Sequence, residues 1–269
     1  MQSQSPPPVI AVPASTLMLV RDGAQGIEVF MVVRHHKIAF APGAMVFPGG
    51  KVDVGDGDPR IRRLCIGGDG LDDTSLGIRV AGVREAFEEC GLLFARRRGE
   101  SGMLNRRQVS KLAPWASRLH SGQVSMFEFL ETEQLELRLN AMVPFAHWVT
   151  PDHIPKRFDT HFFLASAPPG QNALHDGLES VDSAWLRPDE ILNRANDGKV
   201  RLVFATRLNL EKLSRSSTAD EAMHLARQSP VVRVQPELVS QSEGVRQVTI
   251  PIEAGYGGTH FKIIDKPAM

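Results

Sequence analysis

Glu85, Glu88 and Glu89 stand within five positions of the stretch AGVREAFEECGLLFA, residues 81–95, with only Arg84 beside them to offset their charge. At about 100° per residue on a helix, the three carboxylates share one face, while Val83, Ala86, Phe87, Cys90 and Phe94 share the opposite one. Like charges at these spacings cost a few tenths of a kcal/mol per pair, and an Arg84–Glu88 pair recovers only part of that. Two readings follow: a solvated acidic face, or a face that binds a cation. The residues before the helix bear on the choice. Gly49 and Gly50 leave backbone carbonyls accessible, and Asp53 and Asp56 add oxygen atoms. Carboxylates and carbonyls are hard donors that suit Mg²⁺ or Mn²⁺. Mg²⁺ usually works beside substrate phosphates, so a loop–helix carboxylate site suggests phosphoanhydride chemistry.

Several elements must hold those residues in place. STLMLVRDG and IEVFMVVRHH read as two strands around a turn at Asp22 to Gly26. APGAMVFPGGKVDVGDGDP is dense in Gly, Pro and Asp and reads as tight loop. Residues 57–79 read as an inserted excursion, followed by the carboxylate helix from about Val80 to Phe94. Residues 103–141 read as a helical insert, in which Ser125 and Glu128 have the spacing of a capping box. VPFAHWVTP and RFDTHFFLASAP are two further strands. SVDSAWLRPDEILNRANDG is a strand leading into a helix, with Asp189 and Glu190 in its first turn, where negative charge suits the helix dipole. Residues 200–228 read as helical and the remainder as short strands.

Composition narrows the class. The chain has 269 residues, 42% hydrophobic and 23% charged, with a formal net charge of zero. That balance speaks against a nucleic-acid protein that relies on a broad basic surface. Cys65 and Cys90 are too few for a disulfide framework and read as free thiols. MQSQSPPPVIAVPAS reads as a loose leader and a poor signal peptide, and no window is apolar enough for a membrane span.

GGKVDVGD and REAFEECGL together resemble the two halves of the Nudix box, G-x5-E-x7-R-E-U-x-E-E-x-G-U, where U is a bulky apolar residue. Gly50 matches the first Gly, and Asp56 stands where the first Glu is usual. Arg84, Glu85, Glu88, Glu89, Gly91 and Leu92 match the second half, with the small Ala86 at a U position. Here 27 residues, 57–83, separate the halves instead of 7. An interrupted box is similar to a subgroup of the Nudix hydrolases that includes a peroxisomal coenzyme A diphosphatase.

The resemblance implies an α/β fold, the Nudix α/β/α sandwich with a mixed sheet, a helical insert and a C-terminal β extension. It implies hydrolysis of a nucleoside diphosphate linked to another moiety, with Mg²⁺ or Mn²⁺ as cofactor. By carry-over Glu85, Glu88, Glu89 and the Gly49 carbonyl would hold the metal, and Arg84 would orient Glu85. Glu85 or the later Glu179 would serve as base. Arg34 and Arg157 are candidates to hold a phosphate, and as surface arginines they have a plainer reading. His35 and His36 read as solvated; Trp148 and Trp185 read as core anchors. A related coenzyme A group carries R-x3-G-x3-F-P-G-G; Gly43 and FPGG fit it, whereas Ala39 occupies the Arg position. The leading substrate is coenzyme A or an acyl-coenzyme A. The alternatives are an NADH- or ADP-ribose-type dinucleotide or nucleotide sugar, and a catalytically silent nucleotide-binding regulator. The expected organisation is a leader at 1–11, a hydrolase domain at 12–215 and an extension at 216–269 packed on it. The expected setting is cytoplasmic, with a small-molecule nucleoside diphosphate derivative and a second copy of the chain as partners, and neither nucleic acid nor membrane.

Overall fold

In the computed structural model, which describes residues 9–35, 41–173, 180–242 and 244–264, the strand β1 (Val12–Gly23) is buried on both faces. Its side chains alternate by the period of two that any strand imposes. Leu17 and Leu19 enter one apolar core, and Met18 and Val20 enter another on the opposite face. The same split runs through β2 (Gly26–Arg34), where Phe30 and Val32 face the first core and Val29 and Met31 the second. A sheet buried on both faces needs helices on both sides, and the architecture is accordingly an α/β/α sandwich.

The main sheet is mixed. The strand Ser180–Leu186 pairs antiparallel with β2, and β2 antiparallel with β1. β1 runs parallel to Phe158–Ser166, which pairs antiparallel with Val143–Val149. Arg233–Val234 closes that edge in parallel. The short strands β3 (Met45–Val46) and β4 (Gly49–Lys51) pair with β2 and β1. The pattern FPGGK, read above as loop, thus supplies a strand at the point where β1 has left β2.

On the first face lie α1 (Asp73–Cys90), α2 (Arg106–His120) and α3 (Met126–Thr132). Phe87 of α1 stacks on Phe129 of α3 with centroids 5.5 Å apart. On the second face lie α4 (Pro188–Asn196), α5 (Phe204–Leu213) and α6 (Ala219–Gln228), which bury Ile191, Leu208, Leu213 and Met223. A three-stranded antiparallel sheet, Glu237–Ser242, Val245–Thr249 and His260–Ile264, follows. The tail reaches the second core through Tyr256, whose hydroxyl accepts from Trp148 Nε1 at 2.8 Å and donates to Asn209 Oδ1 at 2.7 Å. Among the described residues, no helix is long and apolar enough to cross a membrane.

Several boundaries differ from the expectation. The carboxylate helix starts at Asp73, where the Asp72 side chain caps Ser75 N, and not near Val80. It ends at Cys90, because Gly91 takes the left-handed conformation at φ 64° and caps it. The excursion is ordered: it leaves a 3₁₀ turn at Val54–Gly57 and forms a second, Pro59–Leu64, and a short strand, Cys65–Ile66. That strand pairs with Leu137 and Arg138, so the excursion and the insert share a small sheet. The insert is helical only in part: Leu135–Arg138 is a strand. The Ser125–Glu128 capping box forms as its spacing indicates.

Candidate active site

Two glycines bring β4 against α1. Gly49 has φ 156°, and a Cβ there would lie 2.4 Å from the Ser15 carbonyl oxygen. A Cβ on Gly50 would lie 2.4 Å from Glu85 Oε1. Only residues without a side chain let the helix carboxylates approach this backbone. Gly49 N–H donates to Glu89 Oε2 at 3.0 Å, which fixes one carboxylate against the strand.

Arg84 ties the remaining acids together. Its Nε donates to Asp56 Oδ1 at 3.0 Å and its Nη2 to Asp56 Oδ2 at 3.0 Å and the Lys51 carbonyl at 2.8 Å. Its Nη1 donates to Glu85 Oε1 at 2.9 Å and to Glu88 Oε1 at 3.3 Å. Asp56 is 1% exposed. It therefore spans the 27-residue interruption: the Val54–Gly57 turn packs on α1, and the two halves of the motif meet through the Asp56–Arg84 pair. The insert also reaches the site, with His120 Nδ1 3.4 Å from Glu88 Oε2.

The electrostatics follow from crowding acids around one cation. Burial raises Glu85 to about 7; Arg84 opposes that shift and Glu88 adds to it. Burial also raises Glu88 and Asp56, again opposed by Arg84. Burial lowers Arg84, but Asp56, Glu85 and Glu88 outweigh it and hold the guanidinium charged. The solvated-face reading of α1 does not survive: Arg84, Glu89 and the Glu88 side chain are buried. What remains is a surplus of negative charge presented by oxygen atoms alone, which fits a hard divalent cation.

Glu85, Glu88, Gly49 and Gly50 are among the residues that line a cleft of about 1750 Å³. Its apolar walls include Phe47, Trp148, Phe158, Phe162 and Phe204, and cationic side chains such as Arg34, Lys156, Arg201, Arg246 and Lys262 also line it. Arg34 Nε is buried with no hydrogen-bond partner among the described residues. Arg157 is not brought to the cleft. Its Nε donates to the Thr150 carbonyl at 3.0 Å, its Nη1 to the Val9 carbonyl at 2.6 Å, and Nη2 pairs with Asp152 at 2.5 Å. It braces the Thr150–Lys156 loop, whose Thr150, Ile154 and Lys156 do line the cleft. Glu179 and Ala39 lie outside the described residues. Trp148 is both core anchor and cleft wall; Trp185 packs on Phe30 at 5.3 Å.

Sequence reasoning missed His120, whose approach to Glu88 depends on how the insert folds back. It also missed a second convergence, His147, Asp159 and His161, which does not line the cleft. Burial, then the neighbouring His147, pushes His161 down to about 4. The signal was present as H-x11-D-x-H across two strands, but pairing register, not spacing, joins it.

Residues 68–213, more than half of the chain, match the family model of the NUDT19 Nudix domain. The chain is 28% identical over 189 residues to nudix hydrolase 7 of Caenorhabditis elegans, covering 70% of this chain and 56% of that protein. It is 23% identical over 212 residues to the acyl-coenzyme A diphosphatase NUDT19 of Xenopus laevis, covering 64% of this chain and 56% of that one. The chain thus spans just over half the length of these curated relatives. Its fold resembles the crystal structure of a NUDIX hydrolase from Alicyclobacillus acidocaldarius, with a TM-score of 0.70, 28% identity, and 80% and 96% of the two chains covered.

Proposed function

This chain belongs to the NUDT19 Nudix domain family, and on that premise we propose that it hydrolyses the phosphoanhydride bond of a nucleoside diphosphate linked to another moiety, with coenzyme A or an acyl-coenzyme A as the leading substrate. The observation that carries the proposal is the Arg84-centred set of buried acids beside β4, of which Glu85 and Glu88 line the cleft. Glu85, Glu88, Glu89 and the Gly49 carbonyl would hold Mg²⁺ or Mn²⁺. When bound, the cation neutralises phosphate charge and acidifies water.

The chain's own residues do the rest. Arg84 fixes the Glu85 carboxylate by a charge-assisted hydrogen bond at 2.9 Å. Held by Arg84 and lining the cleft, Glu85 is the preferred base among the described residues. Arg34, on the cleft wall, is the candidate to receive a substrate phosphate. The cleft exceeds the roughly 300–1,000 Å³ of ordinary small-molecule pockets, which suits an extended ligand with a polyanionic head and an apolar arm. The coenzyme A preference draws on the name of the Xenopus laevis relative.

The test offers the purified chain coenzyme A, acyl-coenzyme A, NADH and ADP-ribose with Mn²⁺ and resolves the products by mass. Release of 3′,5′-ADP and 4′-phosphopantetheine from coenzyme A is the expected outcome. Faster cleavage of NADH or ADP-ribose would move the substrate assignment. Ligand binding with no diphosphate cleaved would make the domain a nucleotide-binding regulator.

A further inference from the structure

His147, Asp159 and His161 converge on one face of the main sheet. His147 and His161 are direct cross-strand partners in the antiparallel pair. Asp159 precedes His161 by two positions and so projects to the same side. The two imidazole rings stack with centroids 4.0 Å apart and planes 22° apart. His147 Nε2 lies 2.5 Å from Asp159 Oδ1, and His161 Nε2 lies 3.7 Å from that same oxygen. An isolated His147–Asp159 ion pair would not require the second ring to aim its Nε2 at the same oxygen. One ligand atom from each of the three residues lies within 4.8 Å of the others. A tetrahedral ion with bonds of about 2.0–2.1 Å holds its ligand atoms roughly 3.3 Å apart, so side-chain adjustment alone would close the set. All three side chains are partly exposed, which leaves room for water or an exogenous ligand. In the adjoining register position Ser15 carries a buried hydroxyl with no partner among the described residues. Arg79 of α1 is engaged elsewhere, donating to the Met142 carbonyl at 2.8 Å and lying over the Phe163 ring.

We propose that His147, Asp159 and His161 form a second metal site, selective for a divalent transition ion of the zinc class and distinct from the glutamate face of α1. Two imidazoles and one carboxylate are the donor set of such ions, whereas Mg²⁺ prefers oxygen alone. Three protein ligands with an open position match the coordination of accessible zinc sites.

The test uses the full chain carrying Glu88→Gln and Glu89→Gln, so that the α1 acids do not compete. Co²⁺, a spectroscopic stand-in for Zn²⁺, is titrated while visible d–d absorption is followed. One equivalent should bind with a tetrahedral-type spectrum, and Zn²⁺ should displace it whereas excess Mg²⁺ should not. Adding His147→Ala or His161→Ala should weaken Co²⁺ at least about 100-fold, a loss no smaller than that of removing an outer-shell partner. Should either alanine variant misfold by circular dichroism, Asp159→Asn supplies the same comparison. Zn²⁺ should also raise the melting temperature of the parent and not of the ligand variants, since it binds only the folded chain. Absence of the spectrum, or equal Co²⁺ affinity in parent and variants, would reduce the cluster to a His–Asp ion pair and overturn the site.

Discussion

Arg84 and Arg157 are the two buried arginines of the described residues, at 5% and 7% exposure, and they sit in regions that use the same side chain in opposite ways. Arg157 is balanced locally. It meets two backbone carbonyls and one aspartate, and its region holds a loop in place. Arg84 is outnumbered, with Asp56, Glu85 and Glu88 all directed at it and Glu89 held beside them by Gly49. A buried cation with matched partners contributes stability. A buried cation with too few charges for its partners leaves a site that a further cation would complete. The difference between a strut and a reactive site is therefore the local charge sum and not the depth of the residue.

The largest effect that sharpens this contrast is Glu88→Gln. It should lower kcat/KM by about 10²–10⁴-fold, the range for a group acting in the reaction, with the melting temperature unchanged or raised as like-charge repulsion falls. Steady-state kinetics and calorimetry on one preparation check both halves. Gly50→Ala comes next. Its new Cβ would displace the flexible Glu85 carboxylate and not the backbone, so the fold should persist while kcat/KM falls about 10–100-fold. Unaltered kinetics in this variant would show that the approach of β4 to Glu85 is incidental. Arg157→Ala should behave in the reverse sense. It removes a charge-assisted brace worth about 2–3 kcal/mol, lowering the melting temperature by about 5–10 °C, with kcat/KM within about tenfold of the parent. A loss as large as that of Glu88→Gln would erase the distinction between the regions.

The smallest effect is in pH. Glu85 has a folded-state pKa of about 7, above its ordinary 4.5, so the folded chain binds more protons than the unfolded one between those values. Stability conferred by this site is then greatest at the acid end and declines as pH rises from about 4.5 through 7. In chelator, melting temperature should fall by a few degrees across that window relative to Glu85→Gln. Mn²⁺ should flatten the slope, because a bound cation favours the ionised carboxylate.

How far the sequence was legible depends on the range of the contact. Glu85, Glu88, Glu89 and Gly91 lie within one helix and its cap, so their spacing reports their arrangement directly. β1, β2 and the strands at 143–149 and 158–166 were legible from apolar runs because each is buried on at least one face. The start of α1 was not, since Leu76, Ile78, Val80 and Ala81 are buried around much of its circumference and leave no clean amphipathic stripe. The motif gave Asp56 a position but not its partner Arg84; what closes the interruption is the packing of the Val54–Gly57 turn on α1, where a Cβ on Gly77 would lie 3.3 Å from Gly57 Cα. The bracing contacts of Arg157 were not legible because its partners, Val9, Thr150 and Asp152, are set by tertiary folding, and an Arg near a loop looks the same in sequence whether it braces or binds.

The central claim is that the acids around Arg84 hold a divalent cation. Its most direct measurement is Mn²⁺ binding by electron paramagnetic resonance, comparing the parent chain with the Glu88→Gln, Glu89→Gln double variant while His147, Asp159 and His161 are left intact. The predicted result is Mn²⁺ bound by the parent and at least about 100-fold weaker in the double variant, as loss of ligands requires. Equal Mn²⁺ affinity in the two proteins would contradict a metal site on α1.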